Sequence, residues 1–87
     1  LGNIGNIYHN QHNYKKALDY YLQALKINEE LNYKNGIATN LGNIGIVYKN
    51  QHNYTKALNY YLQGLEICTE LCDKRGTAIN LVNIANL

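Results

Sequence analysis

A chain of 87 residues with a net charge of +2 is long enough for one small domain, and its charge is too small to support binding to nucleic acid or to an anionic membrane. Charged residues make up only 16% of the chain, below the usual proportion, so amide side chains supply much of its polarity. No apolar run is long enough to span a bilayer. We therefore expect a cytoplasmic protein without membrane or nucleic-acid contacts.

The chain repeats itself every 40 residues. Residues 1–40 and 41–80 align without a gap and are identical at 26 of 40 positions, and a third copy begins at Leu81. Such a period is typical of stacked helical units, each of which buries its apolar face against its neighbours. We expect a single domain over 1–87, with repeat one at 1–40, repeat two at 41–80 and the start of repeat three at 81–87. Leu1 already stands inside a helical pattern, so we also expect a longer parent array.

Apolar residues spaced three and four apart predict α-helices throughout the chain. In the second copy, Leu41, Ile44, Gly45 and Tyr48 share one stripe, which we interpret as the core face of a helix. The fold class is therefore all-α, an α-solenoid of antiparallel helix hairpins. Its five predicted helices span residues 1–10, 14–31, 34–50, 54–71 and 74–87.

Two local features predict how each hairpin is built. The sequence Asn-Gln-His-Asn at 10–13 and 50–53 indicates a turn, in which asparagine adopts a left-handed backbone and then caps the next helix. Small residues predict close helix crossings, because they allow the two backbones to approach each other. The predicted crossing residues are Gly5 with Ala17 and Ala24, and Gly45 with Ala57 and Gly64.

Few residues carry reactive chemistry, and we expect no enzymatic activity, metal site or cofactor. No nucleophile with a base, carboxylate pair or phosphate-binding loop is evident. Cys68 and Cys72, four residues apart in one predicted helix, are interpreted as buried, reduced apolar residues. His12 and its copy His52 lie in turns without other metal ligands. Among the tyrosines, we expect Tyr8, Tyr21, Tyr48 and Tyr61 in the core and Tyr20, Tyr33 and Tyr60 to be freer.

The order Leu, Ile, Gly, Tyr, then after a turn Ala, Tyr and Ala or Gly, resembles the tetratricopeptide repeat. Its positions here are Leu1, Ile4, Gly5, Tyr8, Ala17, Tyr21, Ala24 and Leu41, Ile44, Gly45, Tyr48, Ala57, Tyr61, Gly64. The period is longer than the usual 34 residues of that family. The longer period and the segments 38–43 and 71–76 are similar to the long repeats of Pins-type polarity adaptors. Kinesin light chains and bacterial peptide-sensing regulators share the longer period. The resemblance implies a protein-protein interaction scaffold that holds a peptide or partner segment in a concave groove.

The residues that would line this groove follow from helix geometry. A stripe on the third helix lies about 180° from its core stripe and should be exposed. The resemblance implies that first helices line the groove, so that Asn3, Asn43 and Asn83 form a ladder of amides able to bond a ligand backbone. Lys49 is a basic candidate. The predicted groove residues are Asn3, Asn6, Asn10, Thr39, Asn43, Ile46, Lys49, Asn50, Asn83 and Asn86, with Ile79 equivalent to Thr39.

Several alternatives to a peptide-binding scaffold stay open at this point. The chain could be a regulatory or sensor segment of a larger signalling protein, or a structural spacer that self-associates. We expect some self-association through the apolar ends of the stack in any case. The carboxylate clamp of cochaperone repeats is not expected, because the equivalent positions hold no cation. Asn40 and Asn80 are expected to bond between neighbouring repeats.

Overall fold

The computed structural model describes residues 2–87, so the predicted roles of Leu1 lie outside the described residues. Within that range the chain forms five α-helices and no strand, which confirms the all-α prediction. None of these helices is long and apolar enough to cross a membrane. The helices are α1 (Gly2–Asn10), α2 (Tyr14–Glu30), α3 (Lys34–Asn50), α4 (Tyr54–Glu70) and α5 (Lys74–Ala85).

The four turns share one geometry. In each, a non-glycine residue adopts a left-handed backbone, with φ between 53° and 62°. In the first turn the N–H of Asn13 donates to the Tyr8 carbonyl and that of His12 to the His9 carbonyl, the two bonds of a Schellman motif. The left-handed residues are His12, Asn32, His52 and Cys72. The prediction that asparagine takes this position is therefore wrong for the Asn-Gln-His-Asn turns, where histidine does.

The residue after each left-handed position starts the next helix. The side chains of Asn13, Asn53 and Asp73 accept the backbone N–H three residues on, at 3.4, 3.3 and 3.0 Å respectively. These bonds satisfy an N–H group that the first turn of a helix otherwise leaves unpaired. Tyr33, at the equivalent position before α3, makes no such bond. The capping role predicted for asparagine is thus confirmed at Asn13 and Asn53.

Successive helices pack against each other along the chain, and the core lies between the repeats. A cluster of four buried side chains joins α2 to α3: Ala17, Tyr21, Ile44 and Val47. The rings of Tyr8 and Tyr48 pack against this cluster but stay half-buried. The middle helix, α3, carries more buried residues than any other helix described, and its packing against α4 is more extensive than that of the other helix pairs in contact.

Glycine makes the closest crossing within each hairpin. A Cβ atom on Gly5 would lie 2.6 Å from the ring of Tyr21, and one on Gly45 would lie 2.7 Å from the ring of Tyr61. Gly45 also faces the Ala57 carbonyl, as the sequence predicts. The predicted pairing of Gly45 with Gly64 is wrong, since Gly64 faces Asn80 and the Ala38 carbonyl instead.

The tyrosines predicted to be freer are in fact mostly stacked. The ring of Tyr20 lies 5.6 Å from that of Tyr8, and Tyr60 lies 5.6 Å from Tyr48, both pairs being nearly parallel. Lysine ammonium groups sit over the rings of Tyr8 and Tyr48. Stacking of this kind adds about 1 kcal/mol to the burial of each pair. Tyr33 alone of the three predicted free tyrosines is exposed.

Buried polar contacts at Asn40 and Asn80 join the second helix of one hairpin to the first helix of the next. Each pair lies within one 40-residue copy, because α3 and α5 begin before residues 41 and 81, so the bonds predicted between neighbouring repeats join hairpins rather than copies. Asn28 Nδ2 on α2 donates to Asn40 Oδ1 on α3 at 2.7 Å. At the equivalent place in the second copy, Asn80 Nδ2 on α5 lies 3.7 Å from Cys68 Sγ on α4 and donates to the Gly76 carbonyl. Both asparagines are about 95% buried, each being 5% exposed.

The two cysteines differ, which corrects the prediction that both are buried in one helix. Cys68 is a buried residue of α4, and burial together with the nearby charge of Asp73 raises the pKa of its thiol. It is therefore a neutral packing residue at physiological pH. Cys72 lies beyond the end of α4, in the left-handed position of the fourth turn, and is exposed. Both thiols are free.

Candidate functional site

A cavity of about 550 Å³ lies between α3 and α5, the first helices of the second and third hairpins. We name it the α3–α5 cavity. Cys68 of α4 also lines this cavity, as do residues at the start of α5. Its lining residues are Asn35, Ala38, Thr39, Gly42, Asn43, Ile46, Cys68, Asp73, Arg75, Gly76, Ile79, Asn80 and Asn83.

A second cavity of about 430 Å³ lies one repeat earlier, among α1, α2 and the first half of α3. We name it the α1–α3 cavity. It shares Asn35 and Thr39 with the α3–α5 cavity, so the two are contiguous. They are also built alike, because many of their lining residues occupy the same position in successive copies. In each equivalent pair the first residue lines the α1–α3 cavity and the second lines the α3–α5 cavity: Gly2 and Gly42, Asn28 and Cys68, Tyr33 and Asp73, Asn35 and Arg75, Gly36 and Gly76, Thr39 and Ile79, and Asn40 and Asn80.

The structure brings some of the predicted groove residues together and leaves others apart. Thr39, Asn43, Ile46 and Asn83 line the α3–α5 cavity, and Thr39 lines the α1–α3 cavity as well. Ile79, the equivalent of Thr39, joins them. The remaining predicted residues are at least partly accessible but line neither cavity: Asn3, Asn6, Asn10, Lys49, Asn50 and Asn86.

The amides of the predicted ladder differ from their neighbours in hydrogen bonding. Asn3, Asn43 and Asn83 make no side-chain hydrogen bond to another described residue, and Asn43 and Asn83 are half-buried beside the cavity. By contrast, the Tyr21 hydroxyl donates to Asn6 Oδ1, and Asn50 Nδ2 lies 2.8 Å from His9 Nε2. Free amides can donate to and accept from a peptide backbone at once. Among the predicted amides, Asn6 and Asn50 are already engaged within the protein.

The cavity residues at the start of α3 and α5 are not among the predicted groove residues. Asn35 and Arg75 lie four residues before Thr39 and Ile79, so each pair shares one face of its helix. The same periodicity that selects Thr39 therefore indicates Asn35. Arg75 is exposed, and among residues 2–87 the one ion pair joins Lys34 to Glu70 instead. Arg75 thus brings an unpaired positive charge to the α3–α5 cavity.

One buried tyrosine of the second copy holds an unpaired polar atom. Tyr61 is completely buried, and its hydroxyl has no hydrogen-bond partner among residues 2–87. Its counterpart Tyr21 donates to Asn6, but the residue equivalent to Asn6 in the second copy is Ile46, which cannot accept. Burial raises the pKa of both tyrosines, so both stay neutral at physiological pH.

This difference gives a matched test of stability. We expect Tyr21→Phe to lower the free energy of unfolding by about 1 kcal/mol, because it removes a hydrogen bond. Tyr61→Phe should leave the free energy of unfolding unchanged or raise it by about 1 kcal/mol, because it removes a buried hydroxyl that has no partner. Urea unfolding followed by circular dichroism measures both. Equal losses of unfolding free energy in the two variants would contradict the assignment of a hydrogen bond to the Tyr21 hydroxyl and of none to the Tyr61 hydroxyl.

Among residues 2–87, no group of three or more histidine, cysteine or acidic side chains is placed to hold a metal ion. The comparison with known families gives one match. A family model described as tetratricopeptide repeat matches residues 1–70 and again residues 36–87, which together cover the whole chain. No curated protein matches the chain.

Proposed function

Because the chain belongs to the tetratricopeptide repeat family, whose repeats generally mediate protein-protein interactions, we propose that it is a scaffold that binds a peptide or partner segment along α1, α3 and α5. We place it with the long-period members of the family, as its 40-residue repeat suggests. The single observation that carries the proposal is the pair of contiguous cavities, built alike, one repeat apart. A repeated binding surface suits a linear ligand, which presents its own backbone at regular steps.

The hydrogen-bonding state of the amides supports this use. Asn43 and Asn83 stand beside the α3–α5 cavity with no partner in the described chain, and Asn3 stands one repeat earlier in the same condition. An extended peptide offers backbone N–H and C=O groups that such amides can bond together. We propose that these three amides hold the ligand backbone and that the variable lining residues select its side chains.

Substitution of the amides tests this function. The probe is a displayed library of random linear peptides of about twelve residues, which at ~3.3 Å per extended residue span the 33 Å length of the protein. For peptides selected on the unaltered chain, we expect the double variant Asn3→Ala, Asn43→Ala to weaken binding about tenfold or more, because two hydrogen bonds are lost. Fluorescence anisotropy measures the affinity.

The control is Asn59→Ala, which removes an exposed amide on α4, away from both cavities. It should leave the affinity unchanged, and circular dichroism should show the same helicity in all variants. The proposal fails if the library gives no binder, or if the double variant binds the selected peptides as well as the Asn59→Ala control does.

Self-association is a second candidate, favoured by one observation. Ile79, Leu81 and Val82 on α5 are each more than half exposed, as is Ile7 on α1. Apolar side chains in this density are typical of surfaces that another protein covers. Because some self-association is expected of a scaffold as well, light scattering with and without a selected peptide distinguishes the two functions. A spacer binds no peptide, and its mass rises with concentration to the same extent in both measurements.

We also propose that the scaffold works in the reducing cytoplasm, with which the free thiols of Cys68 and Cys72 are consistent.

A further inference from the structure

The two cavities share a plan but differ in chemistry. The lining of the α1–α3 cavity includes side chains that are able to form hydrogen bonds, among them Asn28, Tyr33 and Asn35. At the equivalent positions of the α3–α5 cavity, Asn28 is replaced by Cys68, Asn35 by Arg75 and Thr39 by Ile79. The α3–α5 cavity therefore gains an aliphatic side chain at Ile79, a cation at Arg75 and, with Asp73 in place of Tyr33, a carboxylate.

Ile46 on α3 and Ile79 on α5 both line the α3–α5 cavity. Ile79 is more than half exposed to solvent. An aliphatic side chain placed between them would remove apolar surface of both from water, at about 25 cal/mol for each Å² buried. A polar side chain in the same place would lose hydrogen bonds to water and gain none from the two isoleucines.

Ile46 carries a cost to the fold that its counterpart does not. Asn6 accepts a hydrogen bond from Tyr21, whereas Ile46 leaves the hydroxyl of Tyr61 buried and unpaired. A buried hydroxyl without a partner destabilises the folded chain, because it has lost its hydrogen bonds to water. An apolar side chain at position 46 therefore adds apolar surface to the cavity but lowers the stability of the repeat.

Arg75 determines the charge that the cavity prefers. Asp73, the other charged lining residue, accepts the N–H of Gly76 and so caps the start of α5, where the helix dipole offsets its charge. Arg75 is exposed and has no carboxylate partner among residues 2–87. Its guanidinium is free to form a charge-assisted pair with a carboxylate of a ligand.

From these observations, and resting on the proposed function, we propose that the α3–α5 cavity selects a particular peptide chemistry. The ligand places a branched aliphatic side chain between Ile46 and Ile79 and a carboxylate beside Arg75. The α1–α3 cavity then receives a neutral polar side chain.

The displayed peptide library tests this inference through the composition of its binders. We expect selected peptides to combine an acidic residue with valine, isoleucine or leucine, and to keep binding when their carboxyl terminus is amidated. Loss on amidation, with no acidic side chain selected, would show that Arg75 binds a chain terminus instead and would overturn the assignment of an acidic side chain. Peptides that require Asn43 but lack both features would overturn the inference while leaving the proposed function intact.

Back-substitution to the residues of the first copy gives the matched variants. Arg75→Asn and Ile79→Thr should each weaken the selected peptides about tenfold, the loss expected for one charge-assisted hydrogen bond or one buried side chain. Lys74→Asn removes the same charge from the neighbouring residue, which lines neither of these cavities, and should leave affinity unchanged. Equal effects of Arg75→Asn and Lys74→Asn would reduce the role of Arg75 to general electrostatics and overturn its part of the inference. Unchanged affinity in Ile79→Thr would overturn the aliphatic part.

Discussion

Replacement of Ile44 by alanine is expected to lower the free energy of unfolding by about 2 to 5 kcal/mol. Ile44 is 0% exposed and belongs to the buried cluster that joins α2 to α3. Its truncation removes apolar contacts on both sides of the boundary between the two copies and leaves a cavity that the packed helices cannot close completely. For a domain of this size, such a loss is a large fraction of the total stability.

The repeat supplies a control for this variant. Ile4 occupies the equivalent position in the first copy but is 40% exposed, so Ile4→Ala should cost about 1 kcal/mol or less. Urea unfolding monitored by circular dichroism measures both variants on the same scale. Similar losses at Ile4 and Ile44 would show that the core does not lie between the copies as the structure has it.

Replacement of Gly45 by alanine is expected to lower the free energy of unfolding by about 1 to 3 kcal/mol, although alanine is the better helix former. The new Cβ would lie 2.7 and 2.8 Å from ring carbons of Tyr61 and 3.3 Å from the Ala57 carbonyl oxygen. The ring of Tyr61 is completely buried and cannot move aside without disturbing the core. The hairpin of α3 and α4 must therefore open to accept the methyl group.

Gly42 is the matched control, three residues earlier on the same helix. A Cβ at Gly42 meets nothing within 4 Å, so Gly42→Ala should raise the free energy of unfolding by up to about 1 kcal/mol through helix propensity alone. Thermal unfolding of the two variants should therefore shift in opposite directions. A stabilising Gly45→Ala would rule out the close crossing at Tyr61.

Much of the fold is predictable because the same helical pattern of apolar residues occurs in both copies of the repeat. All five helices occur where the spacing of apolar residues places them, and the ends differ by one or two residues at most, as at Glu70 and Ala85. The incorrect predictions concern individual residues and not whole helices. Cys72 continued the apolar pattern of α4 but took the left-handed position of a turn, which ends a helix whatever the hydrophobicity of the residue.

The candidate site was predictable only in part. The open stripe of α3 was correctly separated from its core stripe, since Thr39, Asn43 and Ile46 are all at least partly accessible. Their function as ligand contacts stays a prediction. Arg75 was missed because its counterpart Asn35 carries no charge, so comparison of the two copies alone did not indicate a charged position.

The sequence by itself determined the period, the helices and the face that each helix turns to the core, because these depend on the 3.6-residue geometry of a single helix. Only the tertiary structure decided which open positions share a cavity and which amides remain free. Asn6 is bonded by Tyr21 and Asn50 by His9, residues 15 and 41 positions away. Such contacts depend on how far apart and at what angle two helices pack, and the periodicity of one helix does not encode that geometry.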